Sequence, residues 1–99
     1  MNVDEQVVLL RNQYLIQVSR IYETKFQMRM MSVVLFDQNK YSKLIKTIEV
    51  ISAIIEQAYV DCNPQRMLYY LVILRSRIDD LENKIDNDYN RLWDRKLSH

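Results

Sequence analysis

Apolar residues recur along this chain at steps of three and four, the spacing that gathers them on one side of a helix rather than alternating across a strand. The first stripe runs Val3, Val7, Leu10, Tyr14, Val18, Ile21, Met28, Met31 and Leu35. Asn2 stands where an N-cap belongs, and Glu5 follows three residues later in the capping-box position. Asp4 and Glu5 also place negative charge in the first turn, where the helix dipole favours it. The polar cluster Asp37, Gln38 and Asn39 closes the stripe, so the pattern predicts a helix over residues 2–37.

A second stripe, Leu44, Ile48, Ile51, Ile55 and Ala58 with Ile45 and Ile54 beside it, predicts a helix over residues 41–60. Residues 47–55 are rich in β-branched side chains. A lone strand there would have nothing to pair with, because no other strand signal occurs, so the helix is preferred. Asp61, Cys62, Asn63 and Pro64 then break the pattern. Asn63 can cap, and Pro64 falls at the first helical position, where its missing N–H costs nothing. The third helix is predicted over residues 64–97. Its heptad seam is Met67, Leu71, Leu74, Ile78, Leu81, Ile85, Asp88 and Leu92, apolar everywhere but Asp88. Arg75, Arg77, Glu82, Lys84 and Arg91 flank it, as in a coiled coil. Asp80 and Lys84 are spaced as an i,i+4 ion pair, and Arg95 and Lys96 suit a helix C-terminus. Asp88 either sets register or partner choice, or marks a shift of the seam to Tyr89.

The fold expected is therefore all-α: three antiparallel helices, long–short–long, forming a helical bundle with a coiled-coil third helix, in one domain spanning residues 1–99. Short connections force neighbouring helices to run in opposite directions. At 1.5 Å per residue the outer helices are each about 50 Å long and the middle one about 30 Å. The second helix then covers only the later half of the first, and residues 2–17 and 85–97 project as single helices. Both projections carry apolar side chains that a solvated overhang would not need, which predicts an oligomer. The expected contact residues are Val7, Leu10, Tyr14, Ile78, Leu81, Ile85, Tyr89, Leu92 and Trp93, with the charges of Arg77, Glu82 and Lys84 selecting the partner.

Composition supports the helical reading. The chain has no glycine and a single proline, and glycine is the usual residue where the backbone must take positive φ in tight hairpins or phosphate loops. With 48% hydrophobic and 27% charged residues the chain is neither disordered nor membrane-spanning by composition. Its longest apolar runs, residues 33–36 and 67–74, fall far short of the roughly 20 residues that cross a bilayer. Acidic Asp4 and Glu5 occupy the place of a leader's basic region, and a lone cysteine excludes an internal disulfide framework, so an intracellular setting, cytoplasm or nucleus, is expected.

Candidate chemistry is sparse. The one histidine, His99, is the final residue and has no neighbour to orient it for catalysis. Cys62 has no histidine or second cysteine near it in sequence to lower its pKa, and reads as a partly buried structural thiol. One histidine and one cysteine exclude a Cys/His metal site, so no catalytic residue, metal or cofactor is expected. Asp79, Asp80, Glu82, Asp86 and Asp88 fan around the helix among Arg77, Lys84 and Arg91, as on a salt-bridged surface. Met28, Met30 and Met31 suit core filling more than binding, and Lys40, Lys43 and Lys46 make only a small basic edge. The net charge of +1 is spread evenly, without the one-sided basic field that binds phosphates. These features point to a non-enzymatic helical assembly or adaptor protein, acting by helix–helix contact as a homo-oligomer or as a small subunit of a larger complex. The alternative is nucleic-acid binding by Arg91, Trp93, Arg95 and Lys96 at the end of the third helix.

Overall fold

Caps and one break divide the chain into its helices. The computed structural model describes residues 1–32 and 38–97, and within these the side chains of all but residues 31, 32, 38, 92 and 95–97. Among the described residues the protein is all-helical: α1 (Val3–Ser32), a 3-10 turn (Gln38–Tyr41), α2 (Ser42–Val60) and α3 (Pro64–Leu97), with no strand. Asn2 caps α1, its Oδ1 accepting from the Glu5 backbone N–H at 2.8 Å. Asn63 caps α3 in the same way, accepting from the Arg66 N–H at 3.1 Å, with Pro64 opening the helix. The predicted end of the first helix falls at residues 33–37, outside the described residues.

The turn between α2 and α3 solves a problem that glycine would ordinarily solve. The Asn63 N–H donates to the Ala58 carbonyl at 2.9 Å, and the Cys62 N–H donates to the Tyr59 carbonyl at 3.1 Å. This is the pair of bonds of a Schellman cap, whose C′ residue must be left-handed. Cys62 holds that place, with φ of 51°. It is exposed, not partly buried as its sequence context suggested.

α3 is the spine. Met67, Leu71, Leu74, Ile78, Leu81 and Ile85 form one buried row, and both α1 and α2 pack on it while touching each other far less. α2 contributes Ile48, Ile51, Ile55 and Ala58, and α1 contributes Val7, Tyr14 and Met28. The heptad seam of α3 is thus the core of the single chain.

The offset between helices differs from the one that lengths and loops implied. Arg11 lies over the Tyr59 ring at 4.2 Å, Tyr14 donates to Glu56 at 3.2 Å, and Lys25 reaches Glu49 at 3.3 Å. The far end of α2 therefore reaches the first turns of α1, and residues 2–17 do not project alone. At the other end, Ile85 is fully buried and Asp88 accepts from Lys40 at 2.9 Å and from the buried Tyr41 hydroxyl. Asp88 thus meets the 3-10 turn that precedes α2. The offset is set by which side chains fill each other's spaces, and Tyr14 and Tyr41 do this at the two ends. Asp88 is thus engaged within its own chain.

Candidate interaction surface

The residues expected to meet a partner are mostly the chain's own interior. Val7, Tyr14, Ile78, Leu81 and Ile85 are each at most 5% exposed, and Leu10 and Tyr89 are half-buried against the same core. They are core residues of the single chain, those on α1 facing the other helices and those on α3 lying beneath α1 and α2. The Leu92 side chain lies outside the described residues. Trp93 remains 41% exposed, set edge-on to Tyr89 with ring centroids 5.9 Å apart. Of the proposed selecting charges, Glu82 is held within the chain by Arg20. Arg77 approaches Asp80 at 3.8 Å, a contact one turn back from the Asp80–Lys84 pair read from spacing, and Lys84 is exposed. At the basic end of α3, Arg91 is exposed and neighbours exposed Asp94, while the Arg95 and Lys96 side chains lie outside the described residues.

Arg20 clasps α1 to α3. Its Nε and Nη2 donate to the two oxygens of Glu82 at 3.2 and 2.9 Å, Nη2 also reaches Asp79 at 2.5 Å, and Nη1 donates to the buried Gln17 amide oxygen at 2.7 Å. The hydrogen bonds it donates to Glu82 and Asp79 push the guanidinium pKa still higher, so it stays charged. Thr24 turns its hydroxyl back onto the Arg20 carbonyl at 2.8 Å, which satisfies a polar group buried between the helices. Tyr14 is buried beside the Glu56 carboxylate, and burial first, with that charge, pushes its phenol up to about 12. These groups position α1 and are consumed within the fold.

What they position is a face the first stripe did not reveal. Val8, Leu9, Leu15, Ile16, Tyr22, Phe26 and Met30 lie on the side of α1 away from the core, between 46% and 70% exposed. The signal was present as a second period: Val8, Leu15 and Tyr22 are spaced by seven, and Phe26 and Met30 continue the row by steps of four. One flank of this face opens into a groove of about 350 Å³ between α1 and α2. Leu15 and Tyr22 stand over its Val18, Ile21, Ile48 and Ala53 lining, and Lys25, Glu49 and Glu56 rim it. The other flank meets α3, where Leu9 and exposed Leu68 line a shallow depression with Pro64.

This surface offers apolar area rimmed by charge. Among the described residues no group of His, Cys, Asp and Glu side chains converges as metal ligands would. Among the same residues no helix is long and apolar enough to cross a membrane. Comparison with known proteins leaves the surface as the sole guide: no family model, no curated protein and no solved structure matches this chain.

Proposed function

We propose that this is a non-enzymatic assembly or adaptor protein that acts by helix–helix contact, as a homo-oligomer or as a small subunit of a larger complex, and that the outer face of α1 is its contact surface. One observation carries the reading: seven large apolar side chains lie 46–70% exposed along one helix, on the side away from the core. Isolated apolar residues on a surface are ordinary, but a continuous apolar strip marks an interaction site. An aromatic side chain offers about 150–250 Å², so Tyr22 and Phe26, at 70% and 63% exposed, supply a substantial part of such a strip. Burial there, worth about 25 cal/mol per Å², is the driving force. α2 and α3 act as the frame that holds α1 straight and presents it.

Two substitutions test this. Leu15→Asp with Tyr22→Asp puts charge on the face without touching the core beneath. The double variant is expected to keep the helical circular-dichroism spectrum and cooperative melt of the native chain and to lose its association by light scattering. Association that survives intact places the contact elsewhere and refutes the reading.

A further inference from the structure

Resting on that reading of the α1 face, we propose that its occupant is a second copy of the chain, with the two α1 helices packed in opposite directions about a two-fold axis beside residue 17. Charge along α1 is the first argument. Asp4 and Glu5 are in its first turn and Arg29 in its last. Opposed helices bring the acidic end of each beside the basic end of the other and oppose the two helix dipoles. Helices running the same way would stack acid on acid and base on base.

Register is the second argument. Exposed positions 5, 8, 12, 15, 19, 22, 26 and 29 follow the four–three spacing of a coiled-coil seam. Folded about residue 17, the seam pairs Glu5 with Arg29 of the partner copy and Val8 with Phe26. The next layers inward set the Asn12 amide beside the Tyr22 hydroxyl and Leu15 over the small Ser19. Each layer matches charge with opposite charge, apolar with apolar, polar with polar, or large with small. Shifting the register by one heptad toward the N-terminus puts Glu5 against Tyr22 and Asn12 against Leu15, which buries polar groups on apolar ones. Ile16 lies beside the axis, where it meets its own copy.

Area is the third. The exposed side chains of this face, two of them aromatic, present several hundred Å². That is on the order of the ~800 Å² each partner brings to a standard interface. In a two-fold arrangement every residue of the face is used twice, so one strip forms the whole contact.

The test uses the full chain with Cys62→Ser, to remove the exposed native thiol, and single cysteines introduced by Val8→Cys or Phe26→Cys. About the proposed axis, residue 8 and its own copy are about 27 Å apart at 1.5 Å per residue, and so are residue 26 and its copy. Each variant alone is therefore expected to resist oxidation to a covalent dimer, and an equal mixture is expected to cross-link. The native chain is expected at twice its 12.0 kDa mass by light scattering. Leu15→Asp enters twice by symmetry and is expected to raise the dissociation constant by about 100-fold or more. Self-cross-linking of Val8→Cys alone overturns the opposed arrangement. A 12.0 kDa monomer overturns self-pairing. An apolar-surface dye then separates that failure from failure of the functional reading. Dye bound by the monomer and lost in Leu15→Asp with Tyr22→Asp leaves α1 as a docking face for another protein. A monomer that binds no dye overturns both.

Discussion

Replacing Arg20 by alanine tests how α1 is held in place. The guanidinium makes a two-pronged contact with Glu82, a third bond to Asp79 and a fourth to Gln17. These differ in worth because they differ in exposure. Asp79 is 59% exposed, so its share is that of a surface pair, about 0.5 kcal/mol or less. Arg20 and Glu82 are 27% and 35% exposed and meet through two bonds, which supports about 1 kcal/mol. Gln17 is 5% exposed, and leaving its buried amide oxygen without a donor adds about 1–3 kcal/mol. Arg20→Ala is therefore expected to cost about 2–4 kcal/mol, Glu82→Ala about 1 kcal/mol and Asp79→Ala under about 0.5 kcal/mol. The double variant Arg20→Ala/Glu82→Ala should cost little more than Arg20→Ala, because the two share one interaction. Urea unfolding followed by circular dichroism, at one fixed protein concentration, reads all four. Moderate salt should change the Asp79 effect most, because that pair is the most exposed. If Arg20→Ala lies within about 0.5 kcal/mol of the native chain, in the range of an ordinary surface change, the clasp does not hold α1 and apolar packing alone does.

Four further outcomes follow from the same geometry. Cys62→Gly is expected to raise stability by about 0.5–1 kcal/mol, since a left-handed residue with a Cβ costs about 1–2 kcal/mol and the greater freedom of glycine in the unfolded chain returns part of it; a variant that melts lower contradicts this. Asp88 is held below the ordinary carboxylate value, first by the Tyr41 hydroxyl and then by Lys40, against the effect of burial. Its folded pKa being the lower one, its contribution is full above about pH 4, near the unfolded value, and is lost as pH falls through the folded value. Tyr41→Phe should therefore destabilise the chain at neutral pH and converge with the native chain in acid, and a gap unchanged between the two conditions would dismiss the pairing. Ile85→Ala is expected to cost about 2–5 kcal/mol at every protein concentration, as a buried core truncation does, whereas an interface residue would show a concentration-dependent loss. Tyr14→Phe should cost about 1.5–3 kcal/mol, one hydrogen bond to a charged carboxylate, and equilibrium unfolding measures it directly.

Local chemistry made much of the architecture legible. Asn2 and Asn63 announced their caps, Pro64 announced where a helix restarts, and the apolar steps of α2 and α3 named the residues that are buried. Such signals act within a turn or two of helix, so they survive without knowledge of the rest of the chain. The absence of glycine was a good guide to helix content and a poor one to the backbone, because the cap geometry forces Cys62 into the left-handed region regardless of its side chain.

The periodic stripes thus determined by themselves that the chain is all-helical, where two of its helices begin, and which side of each stripe seeks burial. Only the tertiary structure decided what covers each stripe. The seam of α3 has the spacing of an intermolecular coiled coil, but α1 and α2 of the same chain cover it, and Ile78, Leu81 and Ile85 are interior. Burial rewards apolar contact without regard to whether the covering helix belongs to the same chain, so a stripe carries no mark of its partner. On α1 that ambiguity concealed the second row. Val8, Leu15 and Tyr22 read as ordinary positions of an apolar helix until the core closed on the opposite side and left them outside.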